Sequence, residues 1–309
     1  MILEKKNYNM ASAFDLDNVP AGYLEDPYGV LAELRNKSPV HENPDGTFVL
    51  TAYNDIVQTY RDPLIWSSDK KAGFRPKFGD TPLYEHHTSS VVFIDPPDHT
   101  RIRHLFQSAF TRKALVAFVP RITSLVDEYL DRLEDQGQME VVEEFSFRLP
   151  IEVVCDLLGV PRQDRKLIRG WANAILTALE PTLTQIQFDA GNQAVVDFKQ
   201  YLRDLITHRR AHPYGARDTE VLTVLADAEA DGERLTEIEL LHQCIFMLNA
   251  GHETSTNMIS HGIHEMLRHP KQISLLSKDP DLIEPMVEEV LRYQAPIQIN
   301  NRRATSDQK

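Results

Sequence analysis

The sequence predicts a mainly α-helical fold with a small β portion near the N-terminus. Three observations carry this. From Pro97 onward apolar residues recur at helical spacing, with Pro and Gly as punctuation at Pro120, Pro150, Gly159-Val160-Pro161, Pro181, Pro213, Pro270 and Pro280. Val40 to Thr51 instead alternates around Pro44-Asp45-Gly46, the pattern of a hairpin. The chain has 309 residues, 42% of them hydrophobic, with no repeat and no obvious linker, so one domain over 1–309 with a sizeable core is expected.

Taken in order, Asp26 to Lys37 has helical spacing through Tyr28, Leu31 and Leu34, and Tyr53 to Tyr60 reads as a short helix. Ser67 to Ser90, rich in Gly, Pro, Lys and His, reads as a long loop, functional or mobile. Thr236 and Glu239 form a T-x-x-E capping box that starts a helix running to about Arg268. Its N-terminal half is apolar nearly all round, the mark of a buried helix. Its most apolar stretch, Ile238 to Gly251, is interrupted by Glu239, His242, Gln243 and Asn249 and is too short and polar to span a bilayer. The N-terminus, MILEKKNYNM, has no long apolar region, so no signal peptide is expected. The net charge of -13 argues against a nucleic-acid partner, because phosphate binding needs surplus Lys and Arg. Cys155 and Cys244 read as free buried thiols, which suits a reducing cytoplasm.

Within the long helix lies Ala250-Gly251-His252-Glu253-Thr254-Ser255. Gly251 costs about 1 kcal/mol relative to Ala in a helix, and the Thr254 hydroxyl can bond back to the preceding turn and bend it. One reading is a local groove with Glu253 and Thr254 delivering protons. The other is a Gly at a helix crossing, a Thr bonded to its own helix and a solvated Glu. Zinc is excluded, because Thr256 stands where His-Glu-x-x-His needs its second His. His261 and His264 read as ordinary helix histidines.

Glu289 and Arg292, at i and i+3 on a later helix, can pair. They sit within Met266-Leu-Arg-His-Pro270, Asp279-Pro280, Val287-Glu-Glu-Val-Leu-Arg-Tyr293 and Ala295-Pro296-Ile-Gln298, followed by a strand at Arg302-Arg303-Ala304. Upstream, Asp95-Pro-Pro-Asp-His99-Thr-Arg-Ile-Arg103 puts His99 and Arg103 on one helix face, with Phe110-Thr111 beyond. These segments, in this order, resemble the bacterial branch of the cytochrome P-450 family, the haem-thiolate monooxygenases. The resemblance covers nearly the whole chain.

The resemblance implies a cytochrome P-450-like helical fold holding haem b. It implies that His99, Arg103 and Arg302 contact the haem propionates, a role to which a guanidinium fork is suited. Ala250 and Gly251 would line the oxygen groove, Thr254 would stabilise the iron–oxygen species and Glu253 would relay protons. Glu289 and Arg292 would form a buried structural network. It implies O2 and a small, hydrophobic organic substrate, with electrons from a ferredoxin-like or flavin reductase partner received near Arg101, Arg112 and Lys113. Pocket walls would come from about Ala72 to Ile94 and Leu167 to Val195. Lys70, Lys71, Arg75, Lys77, His86 and His87 read as a solvated basic loop there.

The family's iron ligand is a cysteine in a segment beyond its Glu-x-x-Arg motif, and the sequence ends at Lys309 before that segment. The fold is therefore expected to be incomplete at the C-terminus, with the axial cysteine absent from the chain and no other metal ligand. Two functions follow: a monooxygenase by family, or a truncated, non-catalytic homologue that binds a ligand or partner without thiolate-ligated haem.

Overall fold

The computed structural model describes residues 19–20, 22–134, 136–180, 182–212, 221–227, 229–230 and 233–307. MILEKKNYNM and the expected breaks at Pro181 and Pro213 lie outside the described residues. The described parts of Met1–Ser68 with Arg302–Lys309 make one compact unit, and those of Asp69–Asn301 make a second.

In the smaller unit, helix α1 (Pro27–Lys37) starts where Asp26 accepts from Gly29 N at 2.9 Å and Pro27 takes the first turn, where its missing N–H costs nothing. Val30 and Leu34 of α1 pack with Tyr23 in a small core. Strands β1 (Val40–Glu42) and β2 (Phe48–Leu50) pair antiparallel, as expected, about a turn in which Gly46 takes φ +81°. Helix α2 (Tyr53–Arg61) follows, and β3 (Trp66–Ser67) pairs antiparallel with the strand Arg303–Ala304.

The larger unit opens with α3 (Lys71–Phe78) and α4 (Pro82–Ser89), which corrects the long loop expected over Ser67 to Ser90. Its composition hides helix signals: Thr81 caps α4, Pro82 sits in the first turn, and Gly79 at φ +62° separates the two helices. Phe78 and Leu83 anchor them in the core. Then come α5 (Asp98–Ala109), α6 (Arg112–Glu134), a π-helical turn (Val141–Ser146), α7 (Arg148–Leu157), α8 (Arg165–Thr177), α9 (Gln185–Ala211) and α10 (Val221–Asp227). Two short antiparallel strands, β4 (Glu229–Ala230) and β5 (Glu233–Arg234), precede α11 (Glu237–Arg268), α12 (Pro270–Leu276) and α13 (Ile283–Tyr293). Pro120 was expected to break the chain, but α6 runs through it.

One apolar core joins α7, α8, α9 and the N-terminal half of α11, centred on Ile151, Leu158, Ile168, Ile175, Phe198, Leu202, Leu241 and Ile245. Beside it Arg165 reaches Asp156 at 2.5 Å and Glu152, while Arg121 of α6 reaches Asp156 at 2.6 Å. Removing one member of such a buried ion cluster costs about 3–5 kcal/mol, because the others lose their counter-charge.

Candidate active site

The capping box at the start of α11 forms as expected, with Glu239 N donating to Thr236 Oγ1 at 3.2 Å and Thr236 N to Glu239 Oε2 at 2.8 Å. Glu239 also takes the guanidinium of Arg101 from α5. Arg101 is thus committed to an ion pair inside the fold, which corrects its place in the expected surface patch. Arg112 and Lys113 are exposed.

Further along α11, a Cβ on Gly251 would lie 2.8 Å from Val154 Cγ2 of α7. The glycine lets the two helices approach, and that closeness offsets its poor helix propensity. Thr254 Oγ1 donates to Ala250 O at 2.6 Å, spending its proton on its own helix and leaving the oxygen to accept. Ala250, Gly251 and Thr254 are half-buried, while Glu253 is exposed. The local geometry is therefore an accepting hydroxyl beside a solvent-facing carboxylate, at a glycine that marks a helix crossing.

Between these residues lies His252, which the sequence reading weighed only as a zinc ligand. Its ring is buried and stacks edge-on against Phe147 with centroids 4.5 Å apart, and Nε2 lies 3.1 Å from Phe147 O. Burial pulls its pKa below the ordinary imidazole value, so it is a neutral ring donating to that carbonyl. Asn249 and Thr256 are buried too. The signal was available: 249, 252 and 256 follow the i, i+3, i+7 spacing of one helix face.

On α5, His99 is half-buried and Arg103 exposed. On α13, Arg292 Nε and Nη2 each donate to a Glu289 carboxylate oxygen at 2.7 Å, the expected pairing. The pair is exposed, with side chains 67% and 59% accessible, not the buried network expected. The i, i+3 spacing sets the pairing, whereas burial needs a neighbouring element over that helix face. Arg302 lies in the smaller unit with its guanidinium 4.7 Å from the centre of the Tyr60 ring.

A second polar cluster, around α4, was also missed. His86, His87 and His242 are buried, which corrects the reading of His86 and His87 as part of a solvated loop. His86 Nδ1 lies 3.3 Å from His242 Nδ1, and His242 Nε2 lies 3.2 Å from Glu85 Oε1. Lys199 Nζ donates to Glu85 Oε2 at 2.9 Å. Contact with His242 and Lys199 holds the Glu85 carboxyl down at about 2. Burial, with Lys77 and His242 nearby, pushes His87 down to about 3. Of the other expected basic groups, Lys77 donates to Glu180 O at 2.5 Å, and Lys70 bonds to Asn301 O at 3.1 Å. Arg75 Nη2 donates to Asp80 Oδ2 at 2.5 Å.

The donors present suit part of a haem site. An imidazole and a guanidinium one turn apart on α5 match carboxylate groups, whereas the space beside Gly251 is taken up by Val154 of α7. Neither thiol suits iron: Cys155 and Cys244 are buried, and burial pushes each up to about 12, far from the thiolate a metal needs.

Comparison with known proteins bears on this arrangement. The family profile described as Cytochrome P450 matches residues 57–281. Vitamin D(3) 25-hydroxylase of Pseudonocardia autotrophica is 34% identical over 281 residues, covering 89% of this chain and 66% of that protein. Cytochrome P450 107B1 of Saccharopolyspora erythraea is 32% identical over 304 residues, covering 92% and 70%. The chain thus spans about two thirds of the length of these relatives. Among solved structures, P450BioI in complex with a hexadec-9Z-enoic acid ligated acyl carrier protein superposes with a TM-score of 0.82 at 29% identity, over 93% of this chain and 73% of that one. Substrate-free CYP109E1 from Bacillus megaterium gives 0.80 at 29%, over 91% and 72%. These relatives lend no support to a non-catalytic homologue. No helix among the described residues is long and apolar enough to cross a membrane. With the profile match over most of its length, the chain belongs to the cytochrome P450 family, whose members are haem-iron monooxygenases.

Proposed function

We propose that residues 1–309 form one cytochrome P-450-like domain carrying the oxygen side and the propionate side of a haem b monooxygenase. It inserts one oxygen atom of O2 into a small hydrophobic substrate, using electrons from a ferredoxin-like or flavin reductase partner. The observation that carries this reading is α11, where Gly251 sits against Val154 and the Thr254 hydroxyl bonds Ala250 O at 2.6 Å, inside a matched family segment.

Haem, when bound, supplies the oxygen activation. On the larger unit, His99 and Arg103 would hold its propionates through charge-assisted hydrogen bonds. Ala250 and Gly251 keep side-chain bulk out of the oxygen groove. Thr254 Oγ1 presents an accepting oxygen, because its proton is already given to Ala250 O. Glu253 faces solvent and passes protons inward from water. Glu289 and Arg292 brace α13. Arg112 and Lys113, exposed at the start of α6, meet an acidic electron donor. Phe74 and Phe93, with Leu83, give the α3–α4 region an apolar lining, consistent with a hydrophobic substrate. Solved complexes of the related CYP109E1 hold testosterone and corticosterone. Free buried thiols suit a cytoplasmic setting.

The test is an absorbance titration of the purified chain with haem, then a spectrum after dithionite and CO. Saturable one-to-one uptake that weakens in His99→Ala and Arg103→Ala is expected. Absence of saturable uptake overturns the reading for this chain. The Soret position then reports whether any of its side chains ligates iron.

A further inference from the structure

Helix α4 is held at three points by side chains from other helices. At its start, Leu83 N donates to Asn192 Oδ1 of α9 at 3.0 Å, and Leu83 seats on Gly191, where an added Cβ would lie 3.0 Å from Leu83 Cδ1. At its end, Gln243 of α11 donates to Ser89 O at 2.7 Å and accepts from Val91 N at 2.9 Å. Between them runs the chain Lys199–Glu85–His242–His86, drawn from α9, α4 and α11.

Its protons can be counted. Glu85 Oε1 lies 3.2 Å from His242 Nε2, within ion-pair distance but outside hydrogen-bond geometry. Of the two facing Nδ1 atoms, His86 and His242, 3.3 Å apart, one carries the hydrogen and the other accepts it. One added proton fits, shared by the two rings with Glu85 as counter-charge. A second leaves two N–H groups facing each other across 3.3 Å. The charged and titratable groups around His86 are Glu85 and His87 on α4, His242 on α11 and Lys199 on α9, with Lys77 of α3 close to His87. Burial, then His87, His242 and Lys199, keep His86 neutral far below the ordinary range.

We infer that Lys199, Glu85, His242 and His86 form a positioning network that fixes α4, and that a second proton on the imidazole pair releases α4 from α11. The consequence for substrate rests on the proposal that the α3–α4 region lines the pocket: below the release pH that wall is lost.

The experiment is amide hydrogen exchange on the full chain at about pH 7.5 and about pH 4.5, expressed as protection factors, with α9 as internal reference. Protection across α4 is expected to fall on the order of tenfold at acid pH while α9 holds. His86→Asn keeps an N–H donor toward His242 Nδ1 but takes no proton, and its α4 is expected to stay protected. Glu85→Gln removes the counter-charge and is expected to raise the release pH by about one unit. Equal α4 protection at both pH values, the same acid loss in His86→Asn, or an unmoved release pH in Glu85→Gln overturns the inference. Haem titration of the same samples separates the two proposals. Failed uptake with α4 behaving as expected sinks the monooxygenase reading and leaves the network standing.

Discussion

Helices α4 and α13 invert what their sequences suggest. The eight residues of α4 include two histidines and three hydroxyls, yet Leu83, His86, His87 and Thr88 are buried. The eleven residues of α13 are strongly amphipathic, yet only Val290 is buried, facing Gly262 of α11, where an added Cβ would lie 3.5 Å from Val290 Cγ1. The difference lies in the neighbours. Helices α9 and α11 offer α4 an apolar seat at Gly191 and side-chain partners for its backbone at both ends, while His86 meets His242 and His87 Nε2 stays without a hydrogen-bond partner. Helix α13 meets α11 along one edge and keeps its Glu289–Arg292 pair in water.

The largest expected effect breaks the buried member of this comparison. Leu83→Ala opens a cavity in the seat on α9 and should cost about 3 kcal/mol in urea denaturation. Ile283→Ala, on the exposed face of α13, should stay within about 0.5 kcal/mol. Similar losses at both sites would refute the contrast.

A pH series comes next. The folded state holds His87 neutral, with its pKa lowered from 6.5 to about 3. The unfolded chain therefore takes up this proton first as pH falls. Stability is full above about pH 6.5 and declines toward pH 3, by up to about 1.4 kcal/mol per unit. His87→Phe should flatten that slope; an unchanged slope in the urea midpoint against pH would mean the ring is not held neutral.

Smaller effects sharpen the picture at α11 and α13. Gly251→Ala gains about 1 kcal/mol of helix propensity but drives Cβ into Val154, where overpacking costs about 1–3 kcal/mol. A net loss is expected, recovered when Val154→Ala is added; a stabilised single variant would show that the helices separate freely. Glu289→Gln should leave the thermal midpoint of this chain unchanged, since an exposed pair contributes little. A clear drop would show that something covers this face in solution.

Much of the scaffold was legible in the residues. The capping box at Thr236, the hairpin at Gly46 and the i, i+3 pairing of Glu289 with Arg292 are local events, decided within a few residues of chain. The family's ordered segments were equally visible, and the family profile matches residues 57–281. The α3–α4 region was misread because Gly, Pro, Lys and His compose helix boundaries as readily as loops. Thr81 and Pro82 were the overlooked signal.

What the sequence determined by itself, then, was where α1, α2 and α11 lie, which family motifs the chain carries and that both cysteines are buried free thiols. Capping, periodicity and motif spacing act over one or two turns, within reach of a linear reading. Only the tertiary structure decided which polar groups are buried. Glu85, His86, Lys199 and His242 come from three helices up to 157 positions apart, judging by the 156-residue separation of His86 and His242. Their environment is set by desolvation and by partners that meet only once α4, α9 and α11 have packed.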